Sequence, residues 1–442
     1  MSAHLSSAGE AIPIEVLSPA EQRMDRWRRK GGSVLAPVAF LALLAAPLTG
    51  ISPEAHRLAA VMVAVVVLWI SEALPMPVTA ILGASLCVVL RVAPAKDVLA
   101  PFADPLIFLF IGAFILARAI FLHGLDRRFA YAVLSLPWVG ARPGRILFAF
   151  GAVTAFMSAW MSNTATTAMM FGIGMSILAF FFGEQGDAGG DAGERRTAPR
   201  INPRFATGLM LMTSFSASIG GLATPVGTPP NVIGLGFIRE LVHVEIPFFR
   251  WMMIGVPVVV VLYLFLFFYL NALCPAGVKE LLGSREMVAS RRAALGPWTR
   301  AQRSTALAFG ITVALWVIPG LIALIAGDRH PLYLAMNRSI PEGIAAMLGA
   351  VLLFLLPGDE GERAITWDDA ARIDWGVVLL YGGGFALGVL SFQTGLAEAV
   401  GRGLTSLLPV QGELSLLVAS VLIAVVVSEA TSNTASANMV VP

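Results

Sequence analysis

Charge is scarce in this sequence. Of its 442 residues only 13% are Asp, Glu, Lys or Arg, roughly half the share carried by a typical soluble domain. Mean hydropathy is +0.79, which excludes a water-soluble globule. The basic residues lie in loops rather than along one face, and a net charge of +2 leaves no electrostatic footprint for nucleic acid. The two cysteines, Cys87 and Cys274, fall in or at the end of apolar segments, so a disulfide framework is excluded and both read as core filler. Five histidines, His123 and His243 among them, show no metal-ligand spacing. The chain also lacks an HExxH pair, a Walker P-loop and a nucleophile elbow, which argues against an enzyme.

What the chain has instead is apolar runs of bilayer-spanning length. They read as full spans at 34–50, 54–72, 76–92, 104–122, 250–273, 304–326, 340–357 and 374–392. Three further stretches, 145–183, 201–243 and 413 onward, are apolar but interrupted by polar residues, Gly or Pro. The N-terminal stretch up to Ser33 is a polar lead-in that carries Arg23, Arg26, Arg28, Arg29 and Lys30 near its end. This is not a signal peptide; its positive flank predicts a cytoplasmic N-terminus and a multi-pass protein of the inner membrane. The segment 184–200, Gly-rich and of mixed charge, reads as a flexible loop.

Basic residues also set the orientation of the middle of the chain. Arg127, Arg128, Arg142 and Arg145 precede the stretch at 145–183, and Arg195, Arg196, Arg200 and Arg204 follow it. Both ends therefore favour the cytoplasm, which predicts either two short spans or a re-entrant hairpin; Ser162-Asn163-Thr164 near the middle favours the hairpin. Lys279, Arg285, Arg291, Arg292, Arg300 and Arg303 mark a second cytoplasmic loop at 275–303.

The two halves repeat. Pro75, Ala80, Leu82, Gly83 and Ala84 recur as Pro341, Ala346, Leu348, Gly349 and Ala350 at an offset of 266. Asp104 pairs with Asp374 at 270, and Phe114 and Gly124-Leu125 with Phe385 and Gly395-Leu396 at 271. Ser158, Ser162, Asn163, Thr164, Ala165 and Met169 recur as Ser428, Ser432, Asn433, Thr434, Ala435 and Met439 at 270. The third span then runs outward and the span at 340–357 inward, so the repeats are inverted, as in many secondary transporters. The reading is an all-α integral membrane protein with two re-entrant hairpins and broken helices. Its parts are a cytoplasmic segment 1–33, an extra first span 34–53, a first repeat 54–274 with its hairpin at 145–183, the loop 275–303, and a second repeat 304–442.

Polar triplets in hydrocarbon often only bond helix to helix. Two identical triplets at the repeat offset, each in a broken stretch, point instead to a binding role. A helix broken in the membrane must satisfy its free amides and carbonyls; half-helix N-termini suit an anion, and freed oxygens suit a hard cation. Ser158 and Ser428 each precede the triplet's serine by one turn, so two oxygens can face one point. A third break is Ala223-Thr-Pro-Val-Gly-Thr-Pro-Pro-Asn231, uncharged and apolar-flanked. Among isolated ionisable residues, Glu72 marks a membrane interface, Arg118 snorkels or pairs, and Glu429 either tunes cation binding or makes a structural hydrogen bond.

Ser-Asn-Thr-Ala at 162 and 432, Pro-Val-Gly-Thr-Pro-Pro-Asn at 225–231 and Phe-Leu-Phe-Ile-Gly-Ala-Phe-Ile-Leu-Ala at 108–117 resemble the divalent anion/sodium symporter family, over essentially the whole chain after Ser33. The resemblance implies that Asn163, Thr164, Asn433 and Thr434 hold substrate carboxylates, with Thr228 and Pro229 beside them. It implies one sodium site from Ser158, Ser162, Asn163 and Gly227, and part of a second from Ser428, Thr431 and Asn433. It also implies an elevator-type homodimer in the lipid bilayer that couples Na+ to a small divalent anion: a C4 dicarboxylate, a citrate-like acid or sulfate. A sodium-independent dicarboxylate exchanger is the alternative within the family, and an anion channel the alternative outside it. In one respect the chain departs from the family pattern. Beyond Ser432 it runs only to Pro442, too short a stretch for a return arm and a second Gly-Thr-Pro-Pro break. The expectation is that the second repeat is incomplete and the sequence truncated at its C-terminus.

Overall fold

The computed structural model describes residues 18–48, 50–187, 201–281, 283–407 and 412–441. Ser18 starts the first helix, α1 (Pro19–Ala45), with a capping box: its Oγ accepts from the Glu21 amide, and the Glu21 carboxylate accepts from the Ser18 amide. The helix thus begins well before Val34, where the first span was expected. α2 (Pro53–Ser71) is capped by Ser52 and ends at Glu72, whose left-handed φ of 50° closes the turn. Glu72 accepts from Arg28 at 2.7 Å, so the interfacial glutamate is paired. α3 (Met76–Val89) has 14 residues, a rise of roughly 21 Å, shorter than the full span expected at 76–92.

α4 (Ala95–Leu99) and a 3₁₀ turn (Ala100–Ala103) lead into α5 (Pro105–Leu122). The amphipathic α6 (Leu125–Leu134) follows, with no counterpart among the expected elements. The stretch expected as a hairpin consists of α7 (Pro143–Ser158) and α8 (Asn163–Asp187). α7 is short, but 20 residues of α8 are apolar enough to cross a membrane, so the second arm is longer than a simple dip requires. Of the loop expected at 184–200, the part 188–200, with Arg195, Arg196 and Arg200, lies outside the described residues.

α9 (Pro203–Gly220), a 3₁₀ turn (Pro225–Gly227) and α10 (Pro229–Val242) make the broken element expected at 201–243. α11 (Phe248–Leu273), α12 (Ser284–Ala294) and α13 (Arg300–Ala326) come next. α14 (Pro331–Ser339) and α15 (Glu342–Leu355) meet at a 63° bend, placed at Pro341, which cannot continue a helix from the residues before it. The straight span expected at 340–357 is therefore the second limb of a bent pair. α16 (Trp367–Ala370), α17 (Trp375–Gln393), α18 (Leu396–Leu407), α19 (Glu413–Ala430) and α20 (Asn433–Val440) complete the chain. Among the described residues six helices are long and apolar enough to cross a membrane, or seven with the bent pair counted, and no strand occurs beyond one isolated bridge between Pro357 and Arg363.

The chain forms two compact units, Met1–Asp104 with Gly236–Val244 and Trp375–Pro442, and Pro105–Leu235 with Glu245–Asp374. In the first, Leu58, Val61, Val65 and Trp69 of α2 pack with Ala80 and Ala84 of α3 and with Leu387 and Leu390 of α17. Three consecutive glycines let neighbours reach the α17 backbone. A Cβ on Gly382 would strike Phe102, one on Gly383 would lie 2.6 Å from the Ala80 methyl, and one on Gly384 would strike Asn438 of α20. Arg239 of α10 forms an ion pair with Asp104 in this unit. In the second unit, Leu147, Phe150 and Val153 of α7 pack against Leu209 and Met212 of α9 and Met170 of α8. Phe248 is stacked between Trp160 and Trp316, with ring centroids 6.3 and 4.6 Å away. Arg118 lies 4.0 Å from Asp369, so it pairs rather than standing alone.

Candidate functional site

α7 stops where Ser158 and Ala159 lead into the Trp160-Met161-Ser162 break, and α8 restarts under a serine cap. The Ser162 Oγ accepts from the Ala165 amide at 3.2 Å. The Ser158 hydroxyl, fully buried, donates to Asn163 Oδ1 at 2.7 Å across the break. Thr164 is exposed. Ser-Asn-Thr forms this turn because its serine satisfies a helix amide that no carbonyl can reach, while the asparagine folds back on the preceding helix end.

The 221–231 segment is bound to that break. The Thr224 hydroxyl, buried, donates to the Ala159 carbonyl. Asn231 Nδ2 bridges the Gly221 and Thr224 carbonyls at 2.8 and 2.9 Å, holding the turn closed from the first residues of α10. Trp251 Nε1 donates to the Leu222 carbonyl at 3.0 Å. Gly221 and Gly227 are the points of close approach. A Cβ on Gly221 would meet the Asn163 amide group, and one on Gly227 would lie 2.5 Å from the Gly221 oxygen and 3.0 Å from the Ser158 oxygen.

Ser158, Ser162, Asn163 and Gly227 therefore gather around one break, with Thr228 and Pro229 at the start of α10 next to Gly227. Sequence reasoning had not singled out Gly221, Thr224 and Asn231 as structural partners. Their contacts span up to 65 residues, and the one available signal was the run of Gly, Thr, Pro and Asn without charge.

The second triplet, in the other unit, repeats the geometry. The Ser428 hydroxyl donates to Asn433 Oδ1 at 2.7 Å, and the Ser432 Oγ accepts from the Ala435 amide at 3.2 Å. These are the same two bonds at the same lengths, set apart by the repeat offset. Thr431 differs from its counterpart Met161, and its Oγ1 is 2.6 Å from the Ser436 Oγ. Asn438 Nδ2 donates to the Thr434 carbonyl at 3.0 Å, one turn below the triplet. Asn433 and Glu429 are exposed, and among the described residues no bond joins Glu429 to the motif.

Neither triplet nor the 221–231 break carries a Lys or Arg. Among the described residues no group of three His, Cys, Asp or Glu could hold a metal. His123 instead has Nε2 2.6 Å from the Ala364 carbonyl. Each break thus presents neutral oxygens and the free amides of a helix start. Such a set can take a monovalent cation and orient a small anion.

Apolar helices of membrane-spanning length, interrupted by duplicated and capped polar breaks, define an all-α multi-pass membrane protein, and the family it matches makes it a transporter and not an enzyme. Residues 29–442 match the family described as Sodium:sulfate symporter transmembrane region, and the chain belongs to that family, the divalent anion/sodium symporters. The sodium-dependent dicarboxylate transporter SdcS of Staphylococcus saprophyticus subsp. saprophyticus is 31% identical over 419 residues, covering 93% of this chain and 76% of the relative. The transporter of the same name from Staphylococcus aureus (strain USA300) is 30% identical over 378 residues, covering 85% of this chain and 69% of the relative.

Proposed function

We propose that the chain carries C4 dicarboxylates together with sodium across the cell inner membrane, with its N-terminus in the cytoplasm. The observation that carries this reading is the pair of matching Ser-Asn-Thr breaks, both built from neutral oxygens and helix-start amides without a cationic side chain. A divalent anion bound among such groups needs its charge offset, and bound cations supply that offset. Relatives named as sodium-dependent dicarboxylate transporters support the choice of ion and substrate class.

In this mechanism sodium binds first. At the first break Ser158, Ser162, Asn163 and Gly227 contribute oxygens to one ion; at the second, Ser428, Thr431 and Asn433 contribute to another. The ion draws the Asn163 side chain and the Ser158 carbonyl toward itself, and fixes the turn against the 221–231 segment. The amides at the start of α8 then present a positive dipole end to the anion. Asn163, Thr164, Asn433 and Thr434, with Thr228 and Pro229, are the residues proposed to contact substrate. Inverted repeats, the re-entrant disposition of 145–183, an elevator movement and a homodimer complete the proposal.

The test is uptake of labelled succinate, with sulfate as competitor, into proteoliposomes with and without an inward sodium gradient. Succinate should accumulate only with the gradient, and Asn163→Ala should abolish accumulation while the protein still inserts. Equal uptake without sodium would assign the chain to exchange, and non-saturating flux would assign it to a channel.

A further inference from the structure

A cavity of about 300 Å³ lies in the second unit, at the opposite end of α7 from the Ser158 break. Its walls come from the α6–α7 connection, the start of α7, the later half of α8 and the first turns of α12. Most of the lining is apolar: Ile146, Ile177, Phe181, Met287 and Val288. Three polar residues break the pattern: Ser135, Ser284 and Arg285. Ser284 lines the cavity, is only 3% exposed, and its hydroxyl has no hydrogen-bond partner among the described residues. A buried hydroxyl without a partner is costly, and the cost is removed by a ligand that completes it. Next to it, Arg285 makes no ion pair among the described residues. Its guanidinium lies over Gly140, where a methyl group would be 2.9 Å from Nη2.

Ser284 and Arg285 also open α12, an 11-residue helix whose N-cap is Gly283 and which has no side-chain cap. The Ser284 amide donates to the Leu281 carbonyl at 3.2 Å, so the next amides, of Arg285 and Glu286, share one rim with an orphan hydroxyl and a guanidinium that makes no ion pair among the described residues. The acidic neighbour Glu286 is exposed. Around the rim, Arg292 donates to the Ser135 hydroxyl at 2.7 Å and Arg145 to the Trp138 carbonyl at 2.8 Å. Arg128 lies 5.2 Å over the Trp298 ring. Half-exposed tryptophans interleaved with arginines mark the depth where lipid headgroups meet water.

We propose that this cavity binds one anionic phospholipid. Its phosphate would meet the Ser284 hydroxyl, the Arg285 guanidinium and the amides of Arg285 and Glu286, and an acyl chain would lie against Ile177, Phe181, Met287 and Val288. Helix starts favour phosphate, and basic pockets between membrane helices favour anionic headgroups. The apolar walls separate this ligand from a soluble anion, which would gain nothing from them.

Native mass spectrometry of the full chain, purified in detergent and supplied with phosphatidylglycerol or phosphatidylcholine, reads the site directly. One phosphatidylglycerol should be retained in preference to phosphatidylcholine, and millimolar inorganic phosphate should not displace it. Arg285→Gln should weaken retention about tenfold, the factor that one lost charge-assisted contact removes. Ser284→Ala, which keeps the small side chain, should also weaken it, whereas Arg338→Gln on a distant exposed surface should not. Equal retention of the two lipids, unchanged retention in both Arg285→Gln and Ser284→Ala, or full displacement by inorganic phosphate would each overturn the proposal.

Discussion

Gly227 offers the sharpest test of the first break, because its backbone angles are ordinary and only space forbids a side chain. In Gly227→Ala the new methyl would lie 2.5 Å from the Gly221 carbonyl oxygen and 3.0 Å from that of Ser158. Ordinary non-bonded contact lies near about 3.5 Å, so the gap between the two segments must open by about 1 Å. Neither obstacle can rotate away, since both are main-chain atoms, one of them at the end of α7. Overpacking of this kind costs about 1–3 kcal/mol. Expressed at the cation site, that is a weakening of sodium binding by about 5- to 150-fold. The assay is the initial rate of labelled succinate uptake as sodium is varied, which should give a raised half-saturating sodium concentration. Gly234→Ala is the control: it lies in α10 with nothing within 4 Å of the new methyl, and should transport normally. A wild-type sodium dependence in Gly227→Ala, at equal protein in the membrane, would refute the claim that Ser158, Ser162, Asn163 and Gly227 form an ion site at this break.

Three further outcomes are expected. Single cysteines placed at 143 and 190 should both react with an impermeant reagent applied from the cytoplasm; reaction of one only from outside would replace the re-entrant arrangement with a simple span. Burial pushes the Asp126 carboxyl up to about 6, against the opposing effect of the Arg127 amide it accepts from. The folded chain then holds a proton that the unfolded chain releases, so stability should fall as pH rises from about 4 to about 6, by at most about 3 kcal/mol, and level off above. Asp126→Asn should flatten that slope in thermal melts and raise the melting temperature near neutral pH; an unchanged slope would contradict the assignment. Gly383→Ala, with its methyl 2.6 Å from that of Ala80, should destabilise the protein by about 1–3 kcal/mol, read as earlier aggregation on heating in detergent.

Uninterrupted apolar runs were the most legible part of the sequence. α2 was expected at 54–72 and occupies Pro53–Ser71; α17 was expected at 374–392 and occupies Trp375–Gln393. Both are bounded by proline, charge or a glycine turn, and neither has a proline past its first turn; the apolar length of α17 outweighs its three consecutive glycines. Legibility fell where charge mixes with apolar residues. α6 and α12 are amphipathic and short, so a search for membrane-length runs passes over them. The early start of α1 did have a signal, the Ser18-Pro-Ala-Glu21 capping box, hidden by the reading of that region as a polar lead-in. The sharp bend before α15 likewise follows from Pro341, which was used to align the repeats and not to break a span. In the site, the caps and the serine–asparagine bonds were implied by the duplicated triplet. The clamp made by Thr224 and Asn231 was not, because it depends on where a distant segment arrives.

The three glycines of α17 have a mechanical consequence. Successive residues on a helix point about 100° apart, so Gly382, Gly383 and Gly384 open three separate sides of one short length of rod, occupied by Phe102, Ala80 and Asn438. These neighbours fit against bare backbone along a stretch three residues tall, flanked along the axis by the buried bulk of Tyr381 and Phe385. A one-residue screw along the axis, about 1.5 Å, would bring the Tyr381 ring to the place facing Phe102 or the Phe385 ring to the place facing Asn438. The stretch therefore works as a key that fixes register. Whatever displacement α17 undergoes during transport, the 100–103 turn, α3 and α20 with its Ser-Asn-Thr start must travel with it as a single piece, and bending has to be found elsewhere in the chain.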